Sequence, residues 1–201
     1  MTSTTPQHER AWILKAKQGD DDAFTLLVEA YQSPVYNLCY RMLGEAQEAE
    51  DAAQETFLKA FRNLRRYDLD RRFLNWILSI ASNHCIDRLR KRRWKLVSIE
   101  ALISMPVSRE DEPGPERHLA QKQEEQRLHS LLMNLRPVDR AAVIMHYWYD
   151  YSYEEIAEVL SVSIPALKSR LHRARRELAA QWMEREMTLV QGGQPDGASA
   201  V

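Results

Sequence analysis

Six cations crowd into the eight residues from Arg88 to Lys95, and five into the nine from Lys168 to Arg176. Clusters of this density attract polyanions, whatever the charge of the whole chain. Here the whole is nearly neutral: 201 residues carry 28 Lys and Arg against 29 Asp and Glu, a formal net charge of −1. For either cluster alone, a solvated helix face is the alternative. Between them, residues 96–118 hold two basic and five acidic side chains.

The second cluster sits in a recognisable local context. Ser152-Tyr153-Glu154-Glu155 has the form of a capping box, with Ser at the N-cap and Glu three residues on. Ile156, Ala157 and Leu160 supply one apolar face. Ser161-Val162-Ser163 is a short turn, with Ser163 as the next N-cap, and Pro165 falls in the first turn of the following helix, where its missing N–H matters little. A short helix, a tight turn and a longer basic helix make the DNA-binding helix-turn-helix unit. At about 100° per residue, Ile164, Leu167, Leu171, Ala174 and Leu178 form the core stripe of the second helix. Opposite lie Pro165, Ala166, Ser169, Arg173 and Arg176, with Arg170 and His172 flanking and Lys168 and Arg175 toward the sides. Small residues near the N-terminus allow close entry to a major groove, and the arginines beyond suit guanine edges or phosphates. An ordinary amphipathic helix is the competing reading.

The first cluster ends a helix expected over Phe73–Arg93. Ile77, Ala81, Cys85 and Leu89 face the core, while Trp76, Ser79, Ile80, Asn83, Asp87 and Arg90 lie opposite. An aromatic ring beside amides and a cationic track is what unpaired bases stack on; packing of Trp76 against a neighbouring helix is the alternative. The helix before it places Ala53, Phe57, Ala60 and Leu64 inward and Asp51, Gln54, Glu55, Leu58 and Arg62 outward. A leucine among charged residues on a solvent face is a mark of a protein interface, although single exposed leucines are also common.

These pieces belong to an all-α chain of two small helical domains. Helical periodicity covers about Gln7–Gln18, Asp21–Gln32, Val35–Leu43, Ala46–Leu64 and Phe73–Arg93, with Asp20 and Ser33 as N-caps and Gly19 and Gly44 as C-terminal caps. Pro106, Pro113, Gly114 and Pro115 break the pattern across 96–118, which reads as a flexible linker. Helical signals resume at about Arg117–Asn134, Val138–Tyr147, Tyr153–Leu160 and Ile164–Met187. The domains are therefore expected at 1–95 and 119–187, with a disordered tail at 188–201. No apolar run approaches the roughly 18 residues of a membrane span. The N-terminus lacks a secretory apolar stretch, and two cysteines, Cys39 and Cys85, are too few for a disulfide framework, which points to a reducing cytoplasm. No Gly-rich phosphate loop, nucleophile elbow or paired metal ligands appears, so the sequence implies no enzyme, no metal and no cofactor.

Two ordered sets of residues carry a resemblance. Asp51-Ala-Ala-Gln54-Glu55-Thr56-Phe57, Phe73-Leu-Asn-Trp76-Ile77, Ile80-Ala81-Ser-Asn83 and Asp87-Arg88 with the Arg/Lys string resemble the second conserved region of bacterial sigma-70-type factors. Ser152-Tyr153-Glu154-Glu155-Ile156-Ala157 and Lys168-Ser169-Arg170-Leu171-His172-Arg173-Ala174-Arg175 resemble the fourth. Two regions joined by a short linker, over about residues 8–185, resemble the extracytoplasmic-function group. The resemblance implies that Asp51, Gln54, Glu55, Leu58 and Arg62 bind the clamp coiled coil of the largest RNA polymerase subunit. It implies that the loop before Phe73, with Trp76, Asn83, Asp87, Arg88, Arg90, Lys91 and Arg92, opens and reads the −10 promoter element. It gives the −35 element to Tyr153, Lys168, Ser169, Arg170, Arg173 and Arg176, directs the acidic linker toward the RNA exit channel, and leaves room for an anti-sigma factor as a further partner. Members of the family usually carry Gly at the position of Ser161 and Gly-Thr at Pro165-Ala166, which puts the identity of the −35 sequence, not the motif, in question. A helix-turn-helix regulator acting without polymerase leaves the Asp51 and Trp76 faces unexplained, and a helical protein-binding adaptor leaves the outward arginines unexplained.

Overall fold

A computed structural model describes residues 6–99 and 127–192, with side chains over 8–92 and 127–184. The described residues are helical, with no strand among them. The first body contains α1 (Pro6–Lys17), α2 (Asp21–Leu43), α3 (Ala46–Asn63), a 3₁₀ turn (Leu64–Arg66) and α4 (Phe73–Ile99). The second contains α5 (127–134), α6 (Pro137–Trp148), α7 (Tyr153–Leu160) and α8 (Ile164–Gly192).

Helix ends follow the local chemistry. Asp20 caps α2 by accepting from the Ala23 N–H at 2.9 Å, and Gly44 ends it at φ 88°. Glu45 caps α3 through both carboxylate oxygens, accepting from the Gln47 and Glu48 N–H groups at 2.8 and 2.7 Å. The break expected at Ser33-Pro34 does not occur: α2 runs on through Pro34. A proline forfeits one helical hydrogen bond, but Val35, Leu38, Cys39 and Met42 on the next turns are fully buried, and that burial holds the helix together. Ser33 is therefore a mid-helix residue, not a cap. At the other ends, α4 continues to Ile99, into the segment expected as linker, and α8 to Gly192, past the expected end at Met187. The rest of the expected linker, the expected helical stretch 117–126 and tail residues 193–201 lie outside the described residues.

The core of the first body lies between α2, α3 and α4, around Leu27, Leu38, Met42, Ile77 and Leu78; that of the second is built on Leu132, Ile144, Met145, Ile156 and Leu171. The two bodies touch. Arg140 of α6 is buried; its guanidinium donates to the Met42 carbonyl of α2 and, from its other amino group, to the carbonyls of Met133 at 2.6 Å and Leu135 at 3.3 Å. Burial pulls this guanidinium down to about 10. The Tyr149 hydroxyl donates to the Pro34 carbonyl at 2.5 Å, and Arg41 lies 5.3 Å over the Trp148 ring. A Cβ at Gly44 would meet the His129 ring at 2.7 Å, so this position is restricted by its neighbour as well as by its φ.

Candidate protein and nucleic-acid interfaces

The α3 helix buries Ala49, Ala52, Ala53, Thr56 and Ala60. Asp51, Gln54, Leu58 and Arg62 are exposed, and Glu55 is half-exposed beside Lys59 at 4.0 Å. Leu58 is 50% exposed and Phe61, one turn on, 45%. Phe61 meets the Phe24 ring of α2 edge-on at 4.9 Å, yet it and Leu58 leave about half their surface outside the core. The face continues onto α2, where Val28, Gln32 and Tyr36 form a groove with Gln54 and Phe57. Phe61 and the α2 half of this groove are additions to the residues legible in sequence, because the pairing of α2 with α3 is a tertiary fact.

The loop before α4 is held from several sides. Lys17 of α1 donates to the Tyr67 carbonyl at 2.7 Å, the Tyr67 hydroxyl donates to the Arg71 carbonyl, and the Arg71 and Asp70 N–H groups return to Asp68 at 3.2 and 3.1 Å. Burial pushes the Tyr67 phenol up to about 12, so it stays a donor at neutral pH. Beneath the loop, Trp76 packs on Tyr67 and Phe73 with ring centroids at 4.9 and 5.5 Å, and Phe73 in turn meets Tyr31 at 5.1 Å. Trp76 is half-buried: one side packs against these rings, and the other borders two concavities. One of these carries Arg71, Arg72 and Asn83, the other Lys59, Asn63 and Arg66.

The cations of α4 divide. Arg88 lies 3.8 Å from Asp51, Arg92 3.2 Å from Glu48 and Arg90 3.8 Å from Asp87. Asn83, Asp87, Arg90, Lys91 and Arg92 are exposed and Arg88 is half-exposed. Arg88 and Arg92 therefore lean on acids of α3. The loop arginines, Arg71 and Arg72, reach the Trp76 concavity. Their only sequence signal was the short polar run Asp68-Leu-Asp-Arg-Arg between two periodic segments.

In the second body the capping box is complete: Ser152 accepts from the Glu155 N–H at 3.1 Å, and Glu155 accepts from the Ser152 N–H at 3.0 Å. Ser161 turns the chain at φ 53°, ψ 46°, a left-handed conformation that a non-glycine residue adopts only at some energetic cost. Ser163 opens α8, its hydroxyl accepting from the Ala166 N–H at 3.4 Å. Pro165, Ala166, Lys168, Ser169, His172, Arg173 and Arg176 are all exposed, as the helical angle predicts, while Leu167, Leu171 and Ala174 are buried. Arg170 is engaged elsewhere: its Nη1 is 2.8 Å from the Asp139 carboxylate of α6. Asp139 itself is buried, so this pair fastens α8 to α6. Arg175 is tied back as well, donating from Nε to the Tyr147 hydroxyl at 2.9 Å, with Tyr153 at 3.5 Å. Tyr153 is half-buried beneath Lys168, whose ammonium lies 5.9 Å over its ring.

The α7 helix meets the loop arginines directly. Arg71 pairs with Glu158 at 3.0 Å, Arg72 with Glu155 at 3.4 Å, and the Asn75 amide donates to Glu155 at 3.0 Å. The Asn75 amide, and then the Ser152 backbone, hold the Glu155 carboxyl below the usual carboxylate range.

Residues 27–95 match the family description Sigma-70 region 2, and residues 125–178 match Sigma-70, region 4. The chain is similar to the ECF RNA polymerase sigma factor SigW of Bacillus subtilis, 34% identical over 175 residues that cover 84% of this chain and 94% of that protein. It is similar to the RNA polymerase sigma-H factor of Pseudomonas aeruginosa, 31% identical over 87% of this chain and 93% of that one. Its fold is like that of the sigma factor RpoE solved in complex with the anti-sigma factor NepR from Bartonella quintana. There the TM-score is 0.61, with 22% identity, 77% of this chain covered and 93% of the solved one. No helix among the described residues is long and apolar enough to cross a membrane.

Proposed function

The chain belongs to the sigma-70 family as an extracytoplasmic-function RNA polymerase sigma factor, and on that premise we propose which of its surfaces makes each contact. The α3 face of Asp51, Gln54, Glu55, Leu58 and Arg62, extended by Phe61, binds the clamp of the polymerase core. The loop arginines Arg71 and Arg72 with Trp76 and Asn83 take the unpaired −10 strand, and Asp87, Arg88, Arg90, Lys91 and Arg92 border its path. The α8 row of Lys168, Ser169, Arg173 and Arg176 enters the −35 major groove, with Tyr153 at its edge; Arg170 supports that helix from behind. The first body and its extension to Ile99 form the polymerase- and −10-binding domain, the stretch to residue 118 the linker, and 119–187 the −35 domain.

In this reading the chain supplies recognition and the polymerase performs the chemistry, in the cytoplasm. An anti-sigma partner belongs to the same reading, since the solved RpoE of like fold is held by one. The observation that carries the assignment is the α3 face, where Leu58 and Phe61 stand half-exposed among charged residues. A duplex-only regulator has no use for it.

The test is co-purification of the full chain with polymerase core. Glu55→Lys with Leu58→Ala is expected to weaken the complex while helical circular dichroism and the melting temperature change little. Unaltered affinity for core removes the assignment of this face.

A further inference from the structure

A cleft of about 400 Å³ separates α4 from α7, lined by Arg71, Arg72, Trp76 and Asn83 on one side and by Glu158 and Val159 on the other. The first four are the side chains assigned above to the unpaired −10 strand. We propose that in the free chain α7 is the resident occupant of the −10 face, its Glu155 and Glu158 carboxylates holding the Arg71–Arg72 surface in place of DNA phosphates. The proposal rests on the −10 reading of that surface.

Three observations lead to it. First, α7 uses two faces. Ile156 and Leu160 form the stripe toward its own domain, while Glu155, Glu158 and Val159 fall on another side at about 100° per residue. Val159 is nevertheless only 5% exposed, and it lies at the cleft. Second, the contacts are of the kind DNA would make: two arginines and an amide donate to carboxylate oxygens at 3.0–3.4 Å, as they would to phosphate oxygens. One surface cannot hold both partners. Third, the −10 and −35 elements stand roughly 25 base pairs apart, about 85 Å of duplex, whereas α7 of the −35 reader is in hydrogen-bonding contact with the −10 reader. The arrangement must open before both elements are engaged. The 27 residues between Ile99 and Arg127 set an upper bound of about 95 Å on that separation. The α7 ion pairs are exposed, individually weak and salt-sensitive; opening must also part the Arg140–Met42 and Tyr149–Pro34 contacts between the bodies.

The test uses the full chain without polymerase. Glu155→Gln keeps a side chain that serves the capping box, and Glu158→Lys reverses the other contact. The double variant is expected to bind a short fluorescein-labelled oligothymidine roughly five- to thirtyfold tighter than the parent, the ratio of their open fractions, and to show a larger radius of gyration by small-angle X-ray scattering. The pair Glu154→Gln with Glu177→Lys makes the same change of charge away from the cleft and is expected to do neither. Equal gains in the two double variants, or an unchanged radius of gyration in the first, overturn the proposal. Run-off transcription with core separates this failure from that of the broader reading: loss of closure leaves transcription intact, whereas a parent chain that supports none removes the −10 assignment itself.

Discussion

Replacing Trp76 by alanine separates packing from base stacking, and the structure sets the size of each. The ring contacts Tyr67 and Phe73 at 4.9 and 5.5 Å, and such aromatic pairs contribute about 0.5–1.5 kcal/mol each beyond the area they bury. A fully buried Trp or Phe reduced to Ala loses about 3–5 kcal/mol; for this half-buried ring about 2–3 kcal/mol is expected. A domain of ordinary stability, about 5–15 kcal/mol, survives that loss. Stacking on an unpaired base contributes a further 1–3 kcal/mol or so, present only when the strand is open. Trp76→Ala holoenzyme is therefore expected to bind promoter duplex through its −35 contacts and to open it poorly, and a pre-melted bubble should restore much of the transcription. Permanganate footprinting of unpaired thymines reads the opening directly. Asn83→Ala is the companion variant, because Asn83 is exposed and its removal disturbs no packing. If both variants melt duplex promoter as the parent does, the Trp76 surface does not receive the −10 strand.

Three other outcomes are expected. Arg173→Ala should cost about 1–3 kcal/mol of promoter affinity and relax preference at one −35 position if it reads a base; if it holds a phosphate, binding weakens evenly across sequences with a shallower salt slope, and no loss by gel shift would mean that α8 is not in the groove. Ser161→Gly should stabilise the second body by about 0.5–1 kcal/mol in denaturant unfolding, because the left-handed φ of 53° burdens a serine more than the flexibility of glycine favours the unfolded chain; lower stability would contradict the turn. His84 is held below its ordinary value by burial and then by Lys59, 2.7 Å away. Its neutral form is favoured in the fold, so its contribution is present above about pH 6.5 and is lost as pH falls from there through the folded value. His84→Gln should flatten that part of the stability profile.

Local features of this fold were legible in the sequence because their causes are local. The Asp20 cap, the Gly44 stop, the Ser152 capping box and the Ser161 turn each depend on a few neighbouring residues, and the structure has all four. The outward row of α8 was legible for the same reason, since helical angle alone exposes Ser169, Arg173 and Arg176. What was not legible depended on distant partners. Pro34 reads as a break until the buried residues after it are seen packing. Arg170 lies at the edge of the outward arc by angle, yet Asp139, 31 residues earlier, takes its guanidinium. Arg88 and Arg92 read as part of a cationic track, and the acids Asp51 and Glu48 of α3 that lie against them carry no signal there. The meeting of α7 with the Arg71–Arg72 loop, across some 80 residues of chain, has no signal in either segment.

The most direct measurement is run-off transcription with purified polymerase core and the full chain on a library of promoter sequences. The chain is expected to direct core to a subset of templates sharing two separated elements, one sensitive to Arg173→Ala and the other to Trp76→Ala. Transcription by core that is the same with and without the chain, or selected templates that share only one element, would contradict it.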